Sequence, residues 1–216
     1  MVSESSVRRQ ALRDPDVRLM LAVGQGDAQA FQELVERYQG RLVTVLEHLV
    51  GNRDQAEDLA QEVFLRVYRA RQSYKPGATF STWLFTIANN VASTALRSRL
   101  RRREVSLAGR DSSESSAGRM ESLAQAPSGQ MPARQLDKVE MRQIVQLALE
   151  SLNERQRMAV LLNKFEGMSY SEIAEAMQLT SKAIKSLLSR ARLNLREVLE
   201  PYLEHGLRPG AAGEKK

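Results

Sequence analysis

The sequence predicts an all-α protein made of two small helical domains joined by a flexible linker. Three observations lead there. Apolar residues recur at i, i+3, i+4 and i+7 through long stretches in which Gly and Pro are scarce. No strand-like alternation persists anywhere. One stretch, 104–134, departs abruptly from this pattern, with seven Ser, three Gly, two Pro and few large apolar residues. It cannot bury enough surface to offset the entropy of ordering, so it reads as the linker.

The first helix covers DAQAFQELVERYQGRLVTVLEHLV. Phe31, Leu34, Val35, Tyr38, Leu42, Val45, Leu46 and Leu49 form its apolar stripe, Asp27 its N-cap, and Gly51-Asn52 its stop. Residues 1–25 are left as an N-terminal extension. A second helix is expected over 54–71, with Leu59, Val63 and Val67 in one stripe and Asp54, Asp58 and Glu62 along one edge. Residues 72–80 read as a loop around the turn dipeptide Pro76-Gly77. A third helix, 81–103, buries Trp83, Leu84, Ile87, Ala88, Val91 and Ala95 and ends in five Arg within seven residues, Arg97 to Arg103.

Beyond the linker, four helices are expected at 135–151, 153–166, 170–177 and 182–199, and a frayed tail at 206–216. Ser169-Tyr-Ser-Glu172 is a capping box that opens the third of these. Three residues later the fourth begins, so the pair forms a helix-turn-helix.

Composition narrows the chemistry. The 216 residues contain no Cys and two His, at His48 and His205, so a disulfide framework, Cys-ligated zinc and thiol catalysis are excluded. No metal site, cofactor or catalytic residue is expected; carboxylates with metal-ligand spacing and a phosphate-cradling Gly-rich loop are also missing. The N-terminus carries no apolar run of signal length and no uncharged stretch approaches a membrane span, which points to a soluble cytoplasmic protein without membrane insertion. The net charge of +6 suggests an acidic partner such as nucleic acid.

Three segments can carry that function. From Lys182 to Arg196 the last long helix has five basic residues and no acidic one. Ser181, Lys182, Lys185, Ser186, Ser189, Arg190 and Arg192 alternate with apolar Ala183, Ile184, Leu187 and Leu188, so hydroxyl and cationic groups face away from the core. Such a helix fits a DNA major groove. The second segment gathers Ser73, Tyr74, Lys75, Phe80, Trp83, Asn90, Arg97 and Arg101. Aromatic rings stack on bases and cations track phosphates in single-stranded nucleic-acid binding. The third is the acidic edge of Asp54, Asp58 and Glu62 with Gln61, suited to a basic protein partner.

DQAEDLAQEVFLRVYRA followed by FSTWLFTIANNVASTALRSRLRRR resembles region 2 of bacterial extracytoplasmic-function (ECF) sigma factors of the sigma-70 superfamily. LNERQRMAVLLNKFEGMSYSEIAEAMQLTSKAIKSLLSRARLNLREVL resembles their region 4, and the whole is similar to the envelope-stress, sigma-E group. The resemblance implies a region 2 helical bundle at 26–103, the linker at 104–134, and a four-helix region 4 domain at 135–205. It implies docking of Asp54, Asp58, Gln61, Glu62 and Phe64 on the clamp helices of the RNA polymerase largest subunit, with a further contact at the flap. Residues 73–80 match the loop that captures a flipped base of the −10 element, and Asn90 a position used in recognising and melting it. Lys185, Ser186, Ser189 and Arg190 match the face that reads the −35 duplex. The linker would thread the RNA exit path. An anti-sigma factor is implied as a further partner. The recognition helix departs from the family in carrying Leu187 where Arg is frequent. An ordinary helix-turn-helix regulator that never meets core polymerase is the competing reading. In neither case is the chain expected to be an enzyme.

Overall fold

The computed structural model describes residues 14–108 and 133–205, and within them every regular element is a helix. The first is one that the sequence reading places in the N-terminal extension: α1, Pro15–Gly24. Asp14 caps it, accepting the Asp16 N–H at 2.9 Å. Pro15 fills its first turn, where a missing N–H loses nothing. Val17, Met20 and Val23 bury its inner face.

Helix α2, Ala28–Val50, starts where expected, with the Asp27 carboxylate accepting the N–H groups of Gln29 and Ala30 at 2.9 and 3.0 Å. Gly51 ends it in the left-handed region at φ 75°, where a β-carbon would be strained. Helix α3, Arg53–Arg69, starts one residue before the expected position, because Asn52 serves as its cap and accepts the Gln55 N–H at 2.8 Å. Helix α4 runs from Phe80 to Ala108. It continues past Arg103 into the stretch expected to be linker, whose last two residues, 133–134, open the next helix; the part between, 109–132, lies outside the described residues, as does the tail 206–216.

Helix α5 is Ala133–Glu150, α6 Glu154–Lys164, α7 Tyr170–Ala176 and α8 Ser181–His205. Asn153 with Gln156, and Ser169 with Glu172, form reciprocal capping boxes at the starts of α6 and α7. The turn from α7 to α8 passes through Gln178 at φ 54°, a conformation side chains rarely adopt.

The first four helices pack around α2, with Leu34, Leu42, Leu46, Phe80, Leu84 and Phe85 fully buried. Each such side chain stabilises the bundle by about 1.5–3 kcal/mol. A second core lies among α5 to α8, around Ile144, Leu161, Leu162, Ile173 and Ile184. The two meet along a seam in which α7 packs on α4 and α6 on α2. Polar ties cross it. The Arg157 guanidinium donates to the Leu49 carbonyl at 3.2 Å while also holding those of Leu149, Glu150 and Leu152. Arg41 pairs with Glu166, whose side chain is 2% exposed, and Ser93 donates to Glu154 at 2.7 Å. Within the first bundle, Arg99 donates to the Val50 carbonyl at 3.1 Å. The last carbonyls of α2 therefore face two cations, which suits the negative pole of a helix.

Candidate nucleic-acid interface

The helices present three surfaces, and each expected site residue falls on one of them or beneath it.

The first surface is the outer face of α3. Asp54, Asp58 and Gln61 are exposed and lie in one stripe. Glu62 sits beside it, its carboxylate accepting from Arg66 Nε at 2.7 Å. That bond holds the Glu62 carboxyl below its usual range. Phe64, expected on the docking face, turns inward and is only 8% exposed. The helical period puts it on the core side with Ala60 and Val67. The stripe continues instead through Leu65 and Tyr68, 50% and 43% exposed. Tyr68 packs against Phe31 and beneath the Arg71 guanidinium. Sequence reasoning missed both, although 58, 61, 65 and 68 are helical neighbours. The result is an acidic patch that grades into an apolar one, a pattern suited to a protein partner that is basic with an apolar centre.

The second surface is the connection 70–79 with the exposed side of α4. Its residues alternate: Ser73 and Lys75 are exposed, whereas Tyr74 is half-buried and Pro76 buried. The Tyr74 ring lies on that of Trp83, centroids 4.7 Å apart. The Tyr74 hydroxyl is buried and has no hydrogen-bond partner among the described residues. Burial, and to a lesser degree the nearby Asp14 carboxylate, push its pKa well up. Phe80, expected to touch DNA, has no exposed surface. It is the first residue of α4, and its ring packs edge-on against Tyr38 in the core, 5.2 Å away. Trp83 is partly buried against the same core. Farther along α4, Asn90, Arg97 and Arg101 are exposed. Arg99, within the same basic run, is committed to the Val50 carbonyl. Tyr74 and Trp83 therefore form a small aromatic pair with Ser73 and Lys75 exposed beside it, and Arg97 and Arg101 lie about 21 and 27 Å beyond Trp83 along α4. An unstacked base can lie there while Arg97 and Arg101 reach backbone phosphates.

The third surface belongs to α8. The Thr180 hydroxyl caps it by accepting the Ala183 N–H at 3.2 Å. Ile184, Leu188 and Ala191 anchor it inward. Ser181, Lys182, Lys185, Ser186, Ser189, Arg190 and Arg192 are all exposed, and Arg190 donates to Ser186 at 3.0 Å. Leu193, 57% exposed, lies on this cationic face together with Arg196; the sequence gives no sign that an apolar residue there stays in solvent. Cations with hydroxyls on one helical face can reach phosphates and base edges of a duplex, and an exposed Leu can meet a thymine methyl.

Among the described residues no cluster of three or more His, Cys, Asp or Glu could hold a metal ion, and no helix is long and apolar enough to cross a membrane.

Comparison with known proteins finds two family matches, one in each helical core. Residues 34–102 match the family described as Sigma-70 region 2, and residues 142–195 the family described as Sigma-70, region 4. The RNA polymerase sigma-H factor of Pseudomonas aeruginosa is 32% identical over 191 residues, covering 88% of this chain and 97% of that protein. The ECF RNA polymerase sigma-E factor of Escherichia coli K12 is 34% identical over 188 residues, covering 87% and 96%. Among solved structures, CnrH in complex with the cytosolic domain of CnrY shares the fold, with a TM-score of 0.63 at 22% identity over 87% of this chain and 98% of that one. The sigma factor RpoE of Bartonella quintana, solved with the anti-sigma factor NepR, gives a TM-score of 0.60 at 26% identity over 80% and 98%.

Proposed function

The chain belongs to the extracytoplasmic-function branch of the sigma-70 family, and from that premise we propose how its three surfaces divide the work of starting transcription. The α3 stripe, Asp54, Asp58, Gln61 and Glu62 with Leu65 and Tyr68, docks on the clamp helices of core RNA polymerase. The 70–79 connection receives a base flipped from the non-template strand of the −10 element: Ser73 and Lys75 meet it from above, and Tyr74 and Trp83 form the floor. Asn90, Arg97 and Arg101 follow the opened strand. The α8 face, Ser181, Lys182, Lys185, Ser186, Ser189, Arg190 and Arg192, reads the −35 duplex. Phe64 and Phe80 hold the docking helix and the loop in place from within. Residues 26–103, with α1 added, act as the melting unit and 135–205 as the duplex-reading unit, with 104–134 as their tether.

One observation carries this reading: a single chain exposes an acidic and apolar stripe on α3, a Tyr74–Trp83 aromatic pair flanked by Ser73 and Lys75, and, over 182–196 of α8, a basic face without an acid. Such a protein supplies recognition, in the cytoplasm, and leaves the chemistry to the polymerase. Binding free energy drives melting, since capturing flipped bases offsets the few kcal/mol lost on unstacking each. The Bartonella neighbour's anti-sigma partner supports a protein inhibitor for this chain as well.

The test is reconstitution. The chain added to core polymerase should start transcription from genomic fragments that carry two-element promoters. Active core that gains no start from any fragment would sink the proposal. A chain that binds duplex DNA alone and ignores core in a pull-down would instead be an ordinary helix-turn-helix regulator.

A further inference from the structure

Helix α1 touches both ends of the 70–79 connection. At its start, the two oxygens of one carboxylate serve two helices. Asp14 Oδ1 caps α1 by accepting the Asp16 N–H at 2.9 Å. Asp14 Oδ2 accepts the N–H of Phe80, the first residue of α4, at 2.8 Å. At its other end, Gly24 lies so close to Arg71, the second residue of the connection, that a β-carbon there would stand 2.9 Å from the Arg71 carbonyl oxygen. Ten helical residues span about 15 Å, so α1 is bonded to the far end of the connection through Asp14 and runs close against its near end at Gly24.

A second tie from α1 reaches Phe80. Asp16, one turn-residue beyond Pro15, accepts the Tyr38 hydroxyl at 2.6 Å and also pairs with Arg37. The Tyr38 ring in turn packs edge-on against Phe80. Asp14 thus holds the backbone of Phe80, and Asp16, through Tyr38, holds its ring. Between these two points of the connection, the Tyr74 hydroxyl is buried without a partner among the described residues, a state unfavourable by about 1–3 kcal/mol.

We propose that Asp14 is a positioning residue for −10 recognition: by tying Phe80 to α1 it sets the shape of the 70–79 connection and so decides which base the connection accepts. The inference rests on the reading of this connection as the receiver of an unstacked base. It assigns to residues outside the DNA-facing surface a share in sequence selectivity.

Asp14→Asn is the discriminating variant. A carboxamide has one acceptor oxygen, which keeps the α1 cap, and its NH2 group would face the Phe80 N–H donor to donor. The holoenzyme, chain plus core polymerase, is presented with single-stranded DNA decamers of random sequence, and the bound pool is sequenced. Wild type should enrich a motif. Asp14→Asn should lose about tenfold of the discrimination at one or two adjacent positions, leave the remaining positions as they were, and hold its affinity for core within twofold. Gly24→Ala, pressing on the other end of the connection, should blur the same positions. A merely structural role would lower enrichment at all positions evenly, and that result overturns the inference, as does an unchanged motif in both variants. A wild-type holoenzyme that enriches no motif overturns the single-strand reading itself; the inference falls with it, but by a different and recognisable result.

Discussion

Arg157 of α6 donates to the carbonyl of Leu49, in the last turn of α2 and 108 residues away in sequence, at 3.2 Å. The same guanidinium binds three carbonyls of its own domain. One planar fork therefore closes the end of α5 and fastens it to α2. Arg157→Ala should lower stability by about 2 kcal/mol, the scale of a hydrogen bond to a charged group. Melting should fall by roughly 4–8 °C, given about 2–4 °C per kcal/mol for a chain of this size, and amide exchange at Val50 and Gly51 should quicken. Unchanged melting would show that the four bonds are incidental.

Lys185 is exposed on α8 and packs on nothing in the core. Lys185→Ala should weaken −35 duplex binding by about 1–3 kcal/mol, or reduce the salt slope by about one if its contact is a phosphate. Affinity for core polymerase should stay the same. Equal loss of both would refute the assignment of this face.

The α3 stripe should behave in the opposite way. Glu62→Lys places a third cation beside Arg66 and Arg69, and Leu65→Ser removes apolar surface that is already exposed. Each should weaken core capture about tenfold in a pull-down titration while −35 duplex binding is retained. Surface changes of this kind shift stability by no more than about 0.5 kcal/mol, so a fall in melting temperature would place these residues in the fold and not in docking.

Tyr38 and Tyr74 differ in a way that mutation can read. Burial is the main force raising both phenols above the ordinary value of 10, helped at Tyr38 by its bond to Asp16. A raised folded-state pKa means that the unfolded chain loses these protons first. Their contribution is therefore complete below pH 10 and is lost as pH climbs from there toward the folded values. Two of the five tyrosines should ionise late, together with alkaline unfolding, when followed by phenolate absorbance. Tyr38→Phe should destabilise by about 1 kcal/mol. Tyr74→Phe, which deletes an unpartnered hydroxyl, should be neutral or stabilising by about that amount. Identical effects at the two positions would contradict the hydrogen-bond assignment.

In the turn before α8, Gln178 adopts φ 54°. Gln178→Gly should relieve strain and raise stability by about 1 kcal/mol without altering −35 binding, as read by melting and by duplex affinity. A loss of stability would mean that the Gln side chain holds the turn.

Much of the fold is legible because its determinants are local. Asp27 before α2, Gly51 after it and the Ser169–Glu172 box each act within four residues. The overlooked helix α1 has an equally local mark, since Asp14-Pro15 is a cap followed by a first-turn proline. What the sequence hides is which aromatic side chains face inward. Phe80 and Trp83 stand near cations and so fit either a stacking platform or a core; only the arrival of Tyr38 from α2 and Asp14 from before α1 decides Phe80. Similarly, the Arg97–Arg103 run looks uniform in sequence, yet Arg99 is spent on a carbonyl 49 residues away. Leu65 and Tyr68 look like core at helical spacing until the bundle closes without them.

The in-and-out alternation of the 70–79 connection separates two kinds of change. Tyr74 and Pro76 face the protein, so altering them alters the frame. Ser73 and Lys75 face solvent, and exchanging them opens no cavity in the bundle. Selection can therefore retune what such a connection prefers, one outward residue at a time, while the bundle beneath stays folded.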